Sequence, residues 1–336
     1  MANTPIRQRV EWIDCAKGIA MLLVLLGHRI FGFLRGAIFS FHMPLFFIFS
    51  TMTFRLSTDM EQWWKKCKKS FVHLVVPALI AIAVFTTGVL LAKGGTIWNS
   101  GFWKEMGLSL LFASGSEFYI GSLRIPRMGM PWFLIVLFTG RSLFDLLHLK
   151  LGKAFVPTCI VLSVAGVVIG SKVWLPLSFD VTMATLIFLL MGYGLRSYDP
   201  GKNSISGLLV VTSVWLLTLL VSTMAEVKYL EMSIRRYPLY PLCLVTALAG
   251  TLMIARVSSL IVRYLRWLKP VLAFVGENSL MLLCVHTPVF MWEWEGLYGH
   301  ISSHTPVRIG VLMGIELTIF FVIVYIKKLI KKERAK

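Results

Sequence analysis

The sequence predicts an all-α integral membrane protein, a single bundle of about ten transmembrane helices with both termini in the cytoplasm. Three observations predict this fold class. Of the 336 residues, 57% are hydrophobic and the mean hydropathy is +0.77, whereas a soluble domain is about 45–50% apolar. The apolar residues form long blocks separated by short polar stretches, as a bilayer requires. The basic residues cluster in the short stretches beside these blocks.

The apolar blocks define the predicted spans. These run near residues 13–34, 36–54, 71–92, 131–147, 153–170, 179–196, 206–224, 239–256, 271–290 and 308–327. An even number of spans puts both termini on one side, and cytoplasmic termini place most lysines and arginines inside. The stretch 108–120 is apolar but too short to span, so we predict a re-entrant or interfacial segment there. Because no linker-like stretch divides the chain, residues 1–336 are predicted to form one domain.

The charge and the cysteines exclude some classes of partner and site. The formal net charge is +18, which could suggest nucleic acid, but the basic residues are distributed as membrane topology signals are. We therefore expect contacts with anionic lipids and none with nucleic acid. The five cysteines have no spacing that suggests a disulfide or a zinc site.

The first span contains three ionisable residues, which are expensive inside a membrane and therefore candidates for function. Asp14, Lys17 and His28 are separated by three and eleven positions. At about 100° per residue these spacings place all three on one helix face, with His28 about 16 Å beyond Lys17. The alternative is an interfacial ion pair and a packing histidine that is only hydrogen-bonded.

Further ionisable residues fall within or beside later spans. His42 and His286 are predicted near the outer side, where neutral histidines could accept a proton from a hydroxyl. Three histidines leave a metal site conceivable, but nothing in their spacing indicates one, and no metal is expected. Glu316 and Glu277 could each pair with a buried lysine or arginine.

A lysine cluster precedes the third span on the predicted cytoplasmic side. It could be an orientation signal that touches anionic lipid, or it could bind the phosphates of a cytoplasmic cofactor as a set of point charges. Its members are Lys65, Lys66, Lys68 and Lys69.

The motifs resemble one known family. Residues 11–28, with EWIDCAKGIA followed by VLLGH, resemble the first helix of the acyltransferase 3 family of membrane O-acyltransferases. In that family ten residues separate a basic residue from a histidine, and Lys17 and His28 fit. Residues 41–50 (FHMPLFFIFS) are similar to the fucose 4-O-acetylase-like branch, and residues 131–134 (PWFL) and 276–286 match later landmarks. The resemblance is strongest over 11–54 and 271–290.

The resemblance implies transfer of an acyl group, most often acetyl, from acyl-coenzyme A to a hydroxyl of a sugar or cell-envelope glycan outside the cytoplasm. The chain departs from the family where paired arginines are usual before the third helix, because Ser70 and His73 stand there. It also has Ser50-Thr51-Met52 where Ser-Gly is usual. A bacterial cytoplasmic membrane is the expected location, and the sequence leaves the oligomeric state open.

These considerations predict a site and a mechanism. His28 is the predicted general base, and Asp14 and Lys17 are its polar supports. Acetyl-coenzyme A is the predicted donor, bound by the lysine cluster and His73. A glycan or lipid-linked sugar is the predicted acceptor, bound by His42, His286 and Trp132. Direct transfer and an acyl-histidine relay both remain open. The competing class is a proton-coupled small-molecule transporter that uses Lys17, His28 and Glu316 as a proton path.

Overall fold

The structure is a computed structural model that describes residues 10–93, 100–202, 204–225, 229–294 and 305–333, and it is mainly α-helical. One short antiparallel hairpin, β1 (Phe118–Ile120) and β2 (Leu123–Ile125), accompanies the helices. The helices are α1 (Glu11–Gly27), α2 (Gly32–Phe39), α3 (His42–Met52), α4 (Met60–Ser70), α5 (Val76–Lys93), α6 (Ser100–Phe112), α7 (Trp132–Leu151), α8 (Phe155–Gly170), α9 (Phe179–Gly194), α10 (Ser204–Met224), α11 (Leu242–Tyr264), α12 (Lys269–Glu277), α13 (Ser279–Trp294) and α14 (Thr305–Glu333).

The long apolar helices are those expected of a membrane protein. In the part of the chain that the structure describes, seven helical stretches are long and apolar enough to cross a bilayer, or eight if the bent pair α12 and α13 forms one span. That count treats residues 132–170 as one stretch, although Gly152, at φ 50°, separates α7 from α8. The number of ten and the orientation stay predictions, and the first nine and last three residues lie outside the described ranges.

The first predicted span is shorter than expected. We predicted a helix over 13–34, but α1 ends at Gly27 and the chain turns before α2 begins at Gly32. Gly32 has φ 72°, which favours glycine. Side chains also donate hydrogen bonds to backbone carbonyls at the C-terminal end of α1. Nδ1 of His28 donates to the carbonyl of Val24, and Nη1 of Arg29 donates to that of Leu25.

Glycines allow two pairs of helices to approach closely. Gly18 of α1 lies against the backbone of α12, and Gly276 of α12 lies against the carbonyl of Asp14. In the second pair, Gly192 of α9 packs against α3, where Thr51 donates to the carbonyl of Leu189 at 2.8 Å. Small residues let backbones meet where side chains would separate them, so these crossings fix α1 and α3 in the bundle.

Two other sequence predictions need correction. The span predicted over 271–290 is bent by 72° between α12 and α13, at Asn278, whose side-chain amide donates to the carbonyl of Phe274. The segment 108–120 is not one continuous element, because α6 ends at Phe112 and the hairpin follows, and its re-entrant or interfacial position stays a prediction. Short apolar stretches carry no signal that separates a bent helix from a straight one or a helix end from a strand.

A buried ion pair joins the segments beside the hairpin. Arg235 donates to both carboxylate oxygens of Asp180, at 2.8 and 3.3 Å. Its remaining hydrogens go to the hydroxyls of Ser114 and Ser178 and to the carbonyl of Ser233, and its guanidinium lies 3.9 Å from the ring centroid of Trp174. This arrangement, the Arg235 cluster, connects the region after α6, the start of α9 and the loop before α11.

Candidate active site

A cavity of about 740 Å³ runs through the bundle and is lined by α1, α3, α4, α7, α12, α13 and residues 230–233. We call one extremity the basic end; it is formed by Arg55, Lys66, Lys69 and Arg141. The other, the distal end, is formed by Trp132 and residues 230–233. Helix α3 and the loop after it run from His42 to Arg55, and the first half of α7 runs from Trp132 to Arg141. Both therefore connect the distal end to the basic end.

The polar face predicted for α1 lines the cavity. Asp14, Lys17 and His28 all contribute to its wall, as their spacing predicted. Lys17 Nζ lies 3.9 Å from Oδ1 of Asp14, and their side chains are 27% and 12% exposed. A long, partly exposed ion pair contributes little to stability. Lys17 and Asp14 therefore serve mainly to place one charge of each sign on the cavity wall.

Two histidines line the cavity near its distal end and share one arrangement. Nδ1 of His28 lies 2.8 Å from the carbonyl oxygen of Val24, and Nδ1 of His42 lies 3.1 Å from that of Ile38. A carbonyl can only accept a hydrogen bond, so each Nδ1 carries the proton and each neutral ring keeps its lone pair on Nε2. The ring of Phe39 packs between them, 5.4 Å from His28 and 4.5 Å from His42. In both rings, Nε2 is therefore the nitrogen that can accept a proton.

The lysine cluster divides into two faces of α4. Lys66 and Lys69 line the cavity, whereas Lys65 and Lys68 do not belong to its wall. Lys65 is exposed and pairs with Glu61 at 2.6 Å, while Lys66 Nζ donates to the carbonyl of Arg55 at 2.8 Å and to the hydroxyl of Ser57 at 3.1 Å. The helical period places residues three apart on one face. Of the four lysines predicted to bind a cofactor, Lys66 and Lys69 line the cavity, and cofactor binding itself stays a prediction.

A π-helical turn follows α4 and positions two predicted residues. Residues Phe71–Val75 form this turn, and Ser70 and His73 line the cavity beside it. One π turn rotates the following helix relative to the preceding one, and such turns are frequent at functional sites. At the other end of α4, the backbone N–H of Gln62 donates to Asp59 and lowers the pKa of that carboxyl below its usual range.

Arginines at the basic end were not singled out as site residues from the sequence. Arg55 and Arg141 line the cavity with the lysines, and the guanidinium of Arg141 lies 4.3 Å from the ring centroid of Phe54. Asp145 holds the adjoining loop, because its two oxygens accept from the N–H and the hydroxyl of Ser57 at 2.7 Å. An arginine inside an apolar block was the available signal, since such a residue usually faces a cavity.

The distal end contains both apolar and polar side chains. Trp132 lines it, as do Glu231 and Ser233. Glu231 lies 3.7 Å from the guanidinium groups of both Arg35 and Arg236. Glu231 and Ser233 gave no sequence signal, because they lie in a polar loop that resembles any other connecting segment.

His286 takes a different place from the one predicted. It is fully buried and is not part of the cavity wall, so the structure does not support direct contact with an acceptor. Its ring lies 5.3 Å from that of His28, and its Nδ1 lies 2.8 Å from Oε1 of Glu316. Glu316 also binds Arg29. The expectation that Glu316 pairs with a buried basic residue is thus confirmed.

Comparison with known proteins identifies a family. A family model described as an acyltransferase domain, that of the acyltransferase 3 family, matches residues 10–326. No curated protein and no solved structure matches the chain. The match covers nearly the whole sequence and confirms the resemblance drawn from its motifs, while the fucose 4-O-acetylase-like branch stays a prediction.

Proposed function

Since the chain belongs to the acyltransferase 3 family and is a membrane acyltransferase, we propose that it transfers an acetyl group from acetyl-coenzyme A to a hydroxyl of a sugar or cell-envelope glycan. The observation that carries this proposal is the single cavity with a basic end, a distal end and two histidine bases near the distal end. Such a cavity can receive two substrates from opposite directions and bring their reacting atoms together.

The basic end fits the donor. Coenzyme A carries phosphates, and lysine and arginine side chains are the usual partners of phosphate. Lys66, Lys69, Arg55 and Arg141 would hold these phosphates, in place of the paired arginines usual in the family. Ser70 and His73 would line the path of the pantetheine arm. This assignment puts the basic end in the cytoplasm, where acetyl-coenzyme A is found, and agrees with the distribution of basic residues.

The distal end suits a sugar. A sugar offers hydroxyls and an apolar ring face, and this end offers an indole ring, a carboxylate and a hydroxyl from Trp132, Glu231 and Ser233. His42 would accept a hydrogen bond from the acceptor through its free Nε2. The proposed location is the bacterial cytoplasmic membrane, with the distal end facing away from the cytoplasm.

The chemistry uses His28 as the general base. Its Nε2 takes the proton of the acceptor hydroxyl while the hydroxyl oxygen attacks the thioester carbonyl. The C–S bond then breaks, and the departing thiolate takes the proton back from His28. Asp14 and Lys17 stand on the same wall toward the start of α1. They would orient the donor thioester, and their two opposite charges nearly cancel each other.

The test is transfer itself. Detergent-purified protein is incubated with radiolabelled acetyl-coenzyme A and a panel of glycans and lipid-linked sugars, and the labelled product is identified by mass spectrometry. We expect label in an O-acetyl ester with the parent protein and little with His28→Gln, because an amide cannot take the proton. Binding of coenzyme A without transfer to any acceptor would contradict the glycan as acceptor, and no binding would contradict the donor.

The transporter alternative is not favoured by the family match. It would have required Lys17, His28 and Glu316 to form one path, yet Glu316 is fully buried and bonded to Arg29 and His286.

A further inference from the structure

A buried ionic network lies behind His28, on the side away from the cavity. Arg29 donates to both oxygens of Glu316, Nη2 to Oε1 at 2.8 Å and Nη1 to Oε2 at 3.1 Å. The two side chains are 2% and 0% exposed. The same Oε1 accepts from Nδ1 of His286 at 2.8 Å. Arg29 also reaches Glu293 at 3.1 Å, and Glu293 pairs with Arg308 at 3.2 Å.

The network leaves one polar atom without a partner. Nε2 of His286 is buried and has no hydrogen-bond partner among the described residues. Because a carboxylate oxygen of Glu316 accepts a hydrogen bond from Nδ1, that nitrogen carries a proton. The neutral ring then keeps its lone pair on Nε2. A buried polar atom without a partner destabilises the fold, because it has given up its hydrogen bond to water. Such an atom in a native structure calls for an explanation, and a catalytic role is one of the common ones.

The ring of His286 lies directly beside the proposed base. The centroids of His28 and His286 are 5.3 Å apart, with planes at 65°. Phe290 packs against both rings, 5.3 Å from His28 and 5.6 Å from His286. A charge on one imidazole is therefore felt by the other through apolar surroundings of low dielectric.

We propose that His286, oriented by Glu316 and Arg29, is a positioning residue of the reaction that stabilises His28 once it has taken the proton. The proton that His28 takes from the acceptor hydroxyl stays on His28 until it returns to the departing thiolate, and the ring of His286 lies beside the positive charge that forms. Glu316 stabilises this positive charge through His286, and Arg29 fixes the carboxylate in place. This inference rests on the proposed function, because it concerns the same proton.

Several charged or titratable groups face the two histidines. The carboxylate of Glu316 attracts the positive charge that forms on His28, while the cations Arg29 and Arg35 repel it. The groups are Arg29 on α1, Arg35 on α2, His42 on α3, Glu293 on α13, and Arg308 and Glu316 on α14.

The first experiment replaces the histidine and keeps the ion pair. His286→Gln retains a donor for Glu316 but removes the imidazole beside His28, and Arg29 keeps both carboxylate partners. We expect the turnover number to fall at least tenfold with an unchanged Michaelis constant for acetyl-coenzyme A. Turnover within twofold of the parent would overturn the proposal.

The second experiment compares the two carboxylates that bind Arg29. Glu316→Gln removes the charge beside His286, whereas Glu293→Gln, the matched control, removes a charge that contacts only arginines among the described residues. With Glu316→Gln, the acid limb of the rate–pH profile should move to lower pH, because the imidazolium loses its carboxylate. With Glu293→Gln it should move much less, because Glu293 pairs with arginines and not with an imidazole. Equal shifts in both variants would assign Glu316 a structural role.

A third measurement needs no turnover. The imidazole nitrogens of purified protein labelled with ¹⁵N-histidine are titrated by NMR, in the parent and in His286→Gln. The chain contains seven histidines, so His28 can be assigned by substitution. We expect its titration to shift when His286 is replaced. An unchanged titration of His28 would overturn the proposal even if no acceptor were found, so its failure is separable from that of the proposed function.

Discussion

In the described part of the chain, two arginines each make a buried bidentate ion pair, and the surroundings of the two pairs differ. Arg235 and Asp180 are surrounded by serine hydroxyls, a backbone carbonyl and an indole ring, groups that do not titrate near neutral pH. In the pair of Arg29 and Glu316, the carboxylate also accepts from an imidazole whose second nitrogen has no partner among the described residues. The first pair connects segments of the fold, and the second lies beside His28, the proposed general base.

The difference shows how one interaction can serve two purposes. Burying an ion pair costs desolvation free energy that good geometry only partly offsets. In the Arg235 cluster every hydrogen of the guanidinium group has an acceptor nearby, which is the condition for rigidity. At Arg29 the same chemistry leaves a reactive nitrogen unpaired. Breaking the first pair should therefore affect folding, and altering the second should affect the reaction.

The largest effect is expected at the Arg235 cluster. Asp180→Ala leaves a buried guanidinium without its carboxylate, which costs about 3–5 kcal/mol. We expect a sharply lower melting temperature in detergent and a low yield of folded protein. The double variant Asp180→Leu/Arg235→Met should recover much of this loss, because it removes both charges. If Asp180→Ala melts like the parent, this cluster has no role in holding the fold.

The second largest effect is expected at His28, the proposed general base. His28→Ala should lower the transfer rate roughly 10²–10⁴-fold, the usual contribution of general-base catalysis. Folding and coenzyme A binding should persist, which separates this variant from Asp180→Ala. The control is His148→Gln, a histidine outside the cavity wall, which should transfer at the parent rate. A His28→Ala protein that transfers normally would refute the base and make His42 the first residue to test.

A smaller effect is expected at the basic end, where charges are less buried than in either ion pair. Lys66→Gln/Lys69→Gln should raise the Michaelis constant for acetyl-coenzyme A roughly tenfold at low salt, and the difference should shrink as ionic strength rises. The matched control is Lys65→Gln/Lys68→Gln, which removes the same charge from the outer face of α4. Equal effects from both pairs would mean that the lysines act only through overall charge.

The smallest effect is expected from the two substitutions that test orientation. Glu61→Cys on α4 and Tyr119→Cys on β1 are exposed positions and should leave activity unchanged. An impermeant thiol reagent applied to intact cells should label Tyr119→Cys and not Glu61→Cys, relative to the parent, whose own cysteines are buried or half-buried. The reverse pattern would place the basic end outside and remove acetyl-coenzyme A as its ligand.

Much of the candidate site could be predicted because its signals are local. Asp14, Lys17 and His28 share a face of one helix, and helical periodicity is enough to group them. The division of the lysine cluster could also have been found, since Lys66 and Lys69 are three residues apart. Burial decided which of the two faces meets the cavity, and no local pattern indicates that.

The bends and breaks of the helices could not be predicted in this way. The turn after Gly27 and the 72° bend between α12 and α13 interrupt stretches whose hydropathy is continuous. Hydropathy measures how much apolar surface a segment offers to lipid, and it is nearly the same for a straight helix and a bent one. The bends depend on what the freed backbone groups bind in the bundle.

The sequence by itself determined the membrane class, the approximate positions of most helices, the family and the polar face of α1, because hydropathy, periodicity and motif spacing are properties of neighbouring residues. Only the tertiary structure decided that Arg29 meets Glu316, 287 positions later, and that His286 stands behind His28 instead of lining the cavity. Contacts between distant helices depend on which glycines let backbones approach and which buried charges find partners. These are properties of the packed bundle and of no single segment.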